Sequence, residues 1–579
     1  MKRNYTTFTA HGQTDRRKRA LWFVLLAAML LLFSAAGFAG GAKNQHGNLA
    51  PDLAGFPRNA DGTIDVIIQF KDTMQASHFE MMAQQGGRLK HKFEHINGAA
   101  YRIPARVLAF LENHPDIAYV TPDRPNAPFF DDEIPAVMAD VARTQFALDG
   151  TGVGVAIIDS GVYNHDDLQG RIVYSESFVS GDSSAGDAFG HGTHVAGIVG
   201  GNGHDSLTGY GHQYVGIAPH VNIINLRALD QNGAGNDSQV IAAIQRAIQL
   251  KSTYNIRVLN LSLGRPVFES YTLDPLCQAV EAAWKAGIVV VVAAGNNGRD
   301  NSHGTKGYAT IAAPGNDPNV ITVGATKTNG TPTRLDDTVA SYSSKGPTLI
   351  DHIVKPDIVA PGNRIVSLLA PGSTIANNFP TFDVGPLSCL LGCSPEYLRL
   401  SGTSMATPVV AGAAALMIQK DPTLTPDTVK ARMMKTAWKG YPANSTAYDE
   451  LGNPYFSQYD VFTIGAGYLD VDAALNSTDV ANGGTPSPTA VYNSSTHHAS
   501  LVNGTSITWG ASIVWDTSIV WADSIVWGAN TVLTNSIIWG DTIVWGDATN
   551  TAFSIIWSDS IVWGVDGMTA LSTGEDGEN

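Results

Sequence analysis

The sequence predicts an α/β protein with a doubly wound, mainly parallel sheet. Five short runs are apolar and rich in β-branched residues, and they occupy residues 153–158, 222–226, 258–261, 288–293 and 320–323. Strands without polar alternation belong to a sheet that is covered on both faces. Ala-rich stretches at 238–250 and 276–286 have the composition of connecting helices, so strands and helices alternate. In such a sheet, functional side chains are expected at the carboxyl ends of the strands.

Length, charge and cysteine content limit the number of domains and the kinds of partner and metal site that we expect. With 579 residues, the chain is expected to form two to four domains. It has 36 Lys and Arg against 52 Asp and Glu, and this net charge of −16 argues against a nucleic-acid partner. Its three cysteines contain no pair of CxxC motifs, which argues against structural zinc. Cys389 and Cys393 either form a bridge in an oxidising compartment or remain two thiols.

The N-terminus has the pattern of a secretory signal peptide, which we predict over residues 1–42. A basic stretch at 16–19 precedes a nearly unbroken apolar run at 20–39, and Gly37 and Ala39 are small residues of the kind that a signal peptidase recognises. A retained membrane anchor is the alternative, because the apolar run is long enough to span a bilayer.

A small α+β unit is predicted between residues 62 and 124. Strand patterns at 65–70, 99–103 and 117–120 alternate with helical patterns at 74–85 and 105–112. Such a unit has little core of its own, so it is expected to lean on a larger domain. Three prolines, Pro122, Pro125 and Pro128, are expected to break regular structure and to form a processing linker.

Four side chains have the chemistry that hydrolysis of a peptide bond requires. They are Asp159 at the end of an apolar run, His191 at the start of a small-residue helical stretch, Asn296 after another apolar run, and Ser404 before a long Ala-rich helix. Each also has an ordinary structural explanation, as a turn residue or a helix cap. Together they supply a nucleophile, a base, an orienting carboxylate and an amide donor for an oxyanion.

These motifs, in the chain order Asp, His, Asn, Ser, resemble those of the subtilisin-like serine proteases. Further stretches that share the resemblance lie at 216–219, 260–264, 341–347 and 355–362. The resemblance implies a subtilisin-like peptidase domain over residues 129–476. It also implies that residues 43–128 are a propeptide and processing linker, acting as a folding chaperone and intramolecular inhibitor.

The resemblance assigns roles to individual residues. It implies that Ser404 attacks the scissile carbonyl, that His191 takes and returns the proton, and that Asp159 orients His191. The oxyanion would be held by the side chain of Asn296 and the backbone N–H of Ser404. His194 is expected to be a packed structural histidine.

Substrate binding is also implied by the resemblance. Ser262, Leu263 and Gly264 resemble the edge strand that pairs with an extended protein or peptide substrate. No cofactor is required for the chemistry, but structural calcium is left open. The segment 200–214 holds a single acidic residue, Asp205, and does not look like the family's calcium loop. The remaining acidic candidates for oxygen ligands are Asp166, Asp167, Asp182 and Asp187.

The C-terminal part changes in composition. A flexible linker is predicted at 477–501, Ser-Ile-Val-Trp hexads at 502–565, and a short tail at 566–579. The tryptophans that share the six-residue spacing are Trp509, Trp515, Trp521, Trp527, Trp539, Trp545, Trp557 and Trp563. The period and β-branched content predict a β-rich repeat. Its rings either stack as core or contact carbohydrate or a cell surface.

Two functional hypotheses follow from these patterns. The first is a secreted serine endopeptidase that is made as a self-processed precursor. The second is a surface-anchored binding or adhesive protein whose protease domain processes only itself.

Overall fold

The computed structural model describes residues 48–128 and 139–493, with short gaps at 52, 54–55, 57, 60, 209, 211–212, 303–304, 330, 332–333, 387–393 and 449–452. Beyond 493 it describes five short strands, at 498–502, 507–509, 513–515, 538–539 and 556–557. The predicted signal peptide, Cys389 and Cys393 lie outside the described residues. Among the described residues, no helix combines the length and the apolar character that a membrane span requires.

The first unit is an antiparallel sheet with two helices, which we call the N-terminal module (residues 48–124). Its strands are β1 (Thr63–Phe70), β2 (Arg88–Phe93), β3 (Gly98–Pro104) and β4 (Ile117–Pro122), and its helices are α1 (Ala76–Gln84) and α2 (Leu108–Leu111). The spatial order is β2-β3-β1-β4. The predicted α+β pattern is confirmed, but β2 was not predicted, because its sequence RLKHKF is largely basic and lacks the apolar alternation of a half-buried strand.

The main domain begins at residue 139. Strand β5 (Pro125–Pro128) precedes it, and strand β22 (His498–Val502) follows it. The strands are β5 (Pro125–Pro128), β6 (Gly154–Asp159), β7 (Ile172–Ser177), β8 (Asn222–Arg227), β9 (Gly235–Asn236), β10 (Ile256–Leu261), β11 (Leu263–Gly264), β12 (Val289–Ala293), β13 (Ile321–Lys327), β14 (Thr338–Val339), β15 (Ile358–Pro361), β16 (Ile365–Leu368), β17 (Asp383–Val384), β18 (Tyr397–Leu400), β19 (Asn444–Tyr448), β20 (Pro454–Gln458), β21 (Thr489–Asn493) and β22 (His498–Val502). The helices are α3 (Ala139–Phe146), α4 (His191–Gly200), α5 (Asp237–Tyr254), α6 (Pro275–Lys285), α7 (Thr374–Asn378), α8 (Thr403–Lys420), α9 (Pro426–Thr436), α10 (Val461–Ile464) and α11 (Val471–Asn476).

The central sheet has eight strands and is mainly parallel, as predicted. Seven strands follow the order β14-β13-β12-β10-β6-β8-β7, and β15 pairs with β13. Among the described strands of this sheet, β14 alone pairs in the antiparallel sense. The strands that follow β6 along the chain lie on both of its sides, so the chain order reverses at β6. In doubly wound sheets, this reversal opens a crevice at the carboxyl ends of the strands.

Helix α8 is the hydrophobic centre of the main domain. Its residues from Thr403 to Ile418 are all buried, because the helix packs against α4 and against β10, β12, β13 and β15. A helix that is apolar on all sides belongs in the core. The chain enters α8 through Gly402, whose φ of 142° lies where a side chain is disfavoured.

The N-terminal module packs on the main domain through one face of its sheet. Side chains from that face, including Ile67 and Phe93, belong to the main hydrophobic core together with Ile241 and Ile244 of α5. Strand β2 contacts α5, and the turn that follows β2 contacts α6. The opposite face of the sheet forms a small core of its own under the two helices. The expectation that this unit leans on a larger domain is therefore confirmed.

Two segments differ from their predicted character. Pro122, Pro125 and Pro128 were expected to break regular structure, but Pro122 is the last residue of β4, and Pro125 and Pro128 belong to β5. The chain remains extended in β5 and pairs with strands on both sides. Residues 477–493, predicted as part of a flexible linker, lie against the main domain and are called the C-terminal strap here. Buried Ser487 of the strap accepts a hydrogen bond from the equally buried Lys430, at 2.9 Å.

The predicted hexads fall largely outside the described residues. Within the described part, Ile507–Trp509 pairs in the antiparallel sense with Ile513–Trp515. Ile538–Trp539 pairs in parallel with Ile556–Trp557, three hexads further along the chain. These short extended pairs have the strand character that the β-branched period predicts.

Candidate active site

Asp159 and His191 meet at the point where the strand order reverses. Asp159 is the last residue of β6, and His191 is the first residue of α4. Nδ1 of His191 lies 2.7 Å from Oδ1 of Asp159, and both side chains are fully buried. Because an ionised carboxylate can only accept, Nδ1 carries the proton of this bond. Nε2 of a neutral His191 is then the nitrogen that can accept a proton.

Ser404 is the second residue of α8, and it is held by the segment that follows β10. Its hydroxyl donates to the carbonyl oxygen of Ser262 at 2.9 Å. The hydroxyl of Ser262 donates in turn to the carbonyl oxygen of Ser404 at 2.8 Å. The backbone N–H of Ser404 belongs to the first turn of α8, where N–H groups have no intrahelical acceptor and the helix dipole is positive. A developing negative charge is stabilised at such a position.

Asn296 is fixed by Thr403, the residue before Ser404. The amide oxygen of Asn296 accepts from the backbone N–H and from the hydroxyl of Thr403, both at 3.0 Å. The hydroxyl of Thr403 also accepts from the backbone N–H of Gly295. Because these bonds commit the amide oxygen, the NH₂ end is the end of the side chain that can serve as a donor.

Asp187 supports the start of α4, a role that the sequence did not reveal. Its buried carboxylate accepts five hydrogen bonds: from the hydroxyl of Ser160, from the backbone of Phe189 and Gly190, and from the backbone and hydroxyl of Thr193. Burial raises the pKa of Asp187. From the sequence, Asp187 was named only as a candidate oxygen ligand. Its position just before the start of a helix could have indicated this role, because acidic residues stabilise helix N-termini.

His194 is packed in the interior, as expected. Its Nε2 lies 3.0 Å from the carbonyl oxygens of Ile365 and Leu398, which belong to the paired strands β16 and β18. Burial lowers the pKa of His194 to about 3, so the ring is neutral. A neutral ring that donates to two carbonyls ties α4 to this sheet.

The predicted substrate-pairing edge is occupied by the protein's own chain. Strand β5 lies between β11 and β9 and is antiparallel to both. Leu263 is opposite Pro128 and Gly264 is opposite Ala127, so two of the three predicted binding residues pair in a strand. Ser262 lies outside the strand and contacts Ser404, as described above.

Among the described residues, the acidic side chains considered for calcium do not come together as a group of three carboxylates. Asp182 pairs with Arg227, and Asp187 is engaged at α4. Asp167 and Asp205 lie near histidines, and the groups whose ligand atoms come within 4.8 Å of one another are His165–Asp205–Glu396 and Asp167–His204–Asp205. Calcium prefers six to eight oxygen ligands, whereas both groups include an imidazole. Nδ1 of His165 also already accepts from the backbone N–H of Asp167.

The fold and the comparisons with known proteins define a protease of the subtilisin class, and the chain belongs to the subtilase family. The model of that family, described as "Subtilase family", matches residues 150–506. Family membership makes the protein a serine endopeptidase with protein or peptide substrates.

Individual relatives agree with this assignment. Serine protease AprX of Bacillus subtilis is 38% identical over 379 residues, which cover 63% of this chain and 81% of the relative. Subtilisin E of Bacillus subtilis is 32% identical over 444 residues, which cover 75% of this chain and 97% of the relative. The extracellular serine proteinase of Thermus sp. is 33% identical over 65% of this chain and 79% of the relative.

A solved structure shares the fold. Fervidolysin from Fervidobacterium pennivorans, described as a keratinolytic enzyme related to subtilisin, matches with a TM-score of 0.53 at 21% identity. The match covers 80% of this chain and 68% of fervidolysin.

Proposed function

We propose that this endopeptidase cleaves peptide bonds with Ser404, His191, Asp159 and Asn296 and is made as a precursor that processes itself. In this mechanism, Nε2 of His191 takes the proton of Ser404 as its oxygen attacks the scissile carbonyl. Asp159 holds His191 through Nδ1 and stabilises the imidazolium. The NH₂ group of Asn296 and the backbone N–H of Ser404 donate to the oxyanion, and His191 then protonates the leaving amine.

The position of β5 is the observation that carries the precursor proposal. A peptide substrate that binds by strand addition needs a free strand edge near the nucleophile. β5 occupies such an edge on β11, and β11 directly follows Ser262, which contacts Ser404. The chain that leads from the N-terminal module therefore follows the path proposed for a substrate.

The register of β5 predicts the bond that is cut. Pro128 is opposite Leu263. A peptide of this sequence that binds in the same antiparallel register would place the residue that follows Pro128 opposite Ser262, whose carbonyl oxygen accepts a hydrogen bond from the hydroxyl of Ser404. That residue is Phe129, so we expect cleavage between Phe129 and Phe130.

The N-terminal module then has the properties of a propeptide. It buries one sheet face against α5 and α6 and continues directly into β5. While it is bound, the attached strand β5 blocks the edge of β11. Cleavage would leave it held only by non-covalent contacts, so inhibition would end when it dissociates or is degraded.

We further propose that the mature enzyme acts outside the cell. The signal pattern at residues 1–42 supports export, and one relative carries the name extracellular serine proteinase. N-terminal sequencing of the Ser404→Ala precursor recovered from the medium would test export and would show whether the leader is removed.

The decisive experiment compares Ser404→Ala with Ser401→Ala. Ser401 is a buried serine three residues earlier, and its hydroxyl accepts from the backbone N–H of Arg364. We expect Ser404→Ala to remain a full-length precursor and to resist labelling by a fluorophosphonate. Ser401→Ala should mature and label at Ser404, with a new N-terminus at Phe130. Maturation of purified Ser404→Ala in isolation would refute self-processing.

A further inference from the structure

Glu269 of the main domain is held by the N-terminal module. Both oxygens of its buried carboxylate accept hydrogen bonds from the guanidinium of Arg124, at 2.6 and 2.9 Å. Tyr119 and Thr121 donate their hydroxyls to the same carboxylate, at 3.0 and 2.9 Å. Within the described residues, every hydrogen bond of the Glu269 side chain comes from the module. Among the described residues, the main domain therefore presents a carboxylate whose hydrogen-bond partners belong to the segment that we propose is removed.

Phe268 contributes a second contact to the same guanidinium. The guanidinium carbon of Arg124 lies 5.1 Å from the centre of the Phe268 ring. A planar cation can stack on an aromatic face while it forms a two-point bond with a carboxylate. Two consecutive residues of the main domain thus contact the same side chain, and both contacts suit arginine better than lysine.

The surrounding charges also favour a cation at this place. Arg265 is paired with two buried carboxylates, Asp237 and Asp274, at 2.9 and 2.8 Å. With Glu269, the main domain contributes three acidic side chains and one basic side chain to this buried region. Arg124 of the N-terminal module adds a second cation, which interacts electrostatically with both Asp237 and Arg265. Counted by residue type, these four side chains of the main domain are one basic residue and three acidic residues, and Arg124 brings that count closer to balance.

Arg124 directly precedes β5, the strand that lies in the proposed substrate path. We propose that Glu269 and Phe268 form an arginine-binding subsite of the extended cleft. The subsite takes an arginine five residues before the residue whose carbonyl is attacked. This inference rests on the proposed register, in which Phe129 is the attacked residue and Arg124 lies five positions before it. The propeptide thereby occupies a site that also selects substrates.

A peptide series on the mature enzyme tests the subsite. The parent is a fluorogenic peptide with the sequence of residues 122–133, and its analogues carry citrulline or lysine in place of Arg124. A further analogue exchanges Asp123 and Arg124 and so keeps the composition and net charge. We expect kcat/KM to fall by about 10- to 100-fold for the citrulline and exchanged peptides, because one partner of a close charge pair is lost. The lysine peptide should be intermediate.

Two enzyme variants complete the test. In Glu269→Gln, the preference for arginine over citrulline should disappear, whereas Glu281→Gln should keep it; Glu281 lies on α6 and pairs with the exposed Lys285. If Glu269→Gln does not mature, the peptide series on the wild-type enzyme is sufficient to test the arginine subsite. Mass mapping of the products separates the two proposals. Cleavage elsewhere than after Phe129 overturns the register, whereas cleavage there with equal kcat/KM for all peptides overturns the subsite alone.

Discussion

Replacing Asp187 by asparagine would show how much the start of α4 contributes to catalysis. The substitution keeps the size of the side chain but removes its charge. One oxygen remains for Ser160 and for the backbone N–H groups of Phe189 and Gly190. The other oxygen becomes an NH₂ group that faces Thr193. The hydroxyl of Thr193 can rotate and accept, but its backbone N–H, now 2.8 Å from the carboxylate, would face another donor.

The expected cost follows from that single conflict and from weaker bonds at the remaining oxygen. A buried donor that loses its acceptor costs about 1–3 kcal/mol, and bonds to a charged acceptor are stronger than bonds to a neutral one. The neutral side chain is easier to bury, because burial already raises the pKa of Asp187. We expect a net loss of about 2 kcal/mol in the free energy of unfolding. A shift of His191, four residues after Asp187, would lower kcat by up to about a hundredfold.

Stability and kinetics would be measured separately. Urea denaturation in the Ser404→Ala background avoids self-digestion, and kcat and KM are measured with a peptide substrate on the active form. Asp166→Asn is the matched control, because Asp166 is an exposed carboxylate in the short turn after β6. We expect Asp187→Asn to lower kcat with little change in KM, and Asp166→Asn to change neither. If Asp187→Asn kept the wild-type kcat and stability, the assigned role of its five hydrogen bonds would be wrong.

Two further substitutions test other parts of the structure. Asn296→Ala should lower kcat by about 10²- to 10³-fold with little change in KM, because it removes an oxyanion donor; Asn297→Ala, with an exposed side chain, should not. Burial raises the pKa of Asp317 to about 6 from 3.8. The folded state therefore holds a proton that the unfolded state releases as pH rises between these values, so stability falls over this range and the cost is complete above pH 6. Asp317→Asn should raise the free energy of unfolding at pH 7 by about 3 kcal/mol and flatten its dependence on pH between 4 and 6. The free energy of unfolding would be measured by urea denaturation at several pH values, and an unchanged dependence on pH would contradict this prediction.

The alternation of strands and helices is visible in the sequence because burial imposes it. Strands that are covered on both faces must be apolar throughout, and all five predicted runs are strands of the central sheet. Strand β2 shows the limit of this rule. Four of its six residues are Arg, Lys or His, and its pairing with β3 keeps it extended. Local composition therefore predicts the elements of a core better than those at its edge.

The proposed active site divides in the same way. Asp159, His191, Asn296 and Ser404 stand out in the sequence because each follows or begins a recognisable element. The sequence does not show which groups hold them, because Thr403 and Ser262 are ordinary small polar residues until the fold brings them to Asn296 and Ser404. Hydrogen bonds between residues far apart along the chain leave no periodic signal.

What the sequence by itself determined is the class of fold, the order of the four motifs and the α+β character of the N-terminal module, because burial and strand or helix period act locally. Only the tertiary structure decided that a proline-containing segment at 125–128 pairs as a strand with β9 and β11, since these partners are more than 100 residues away. It also decided that Arg124 meets Glu269, a contact between residues 145 positions apart. Such pairings depend on how whole elements pack, and no local pattern encodes them.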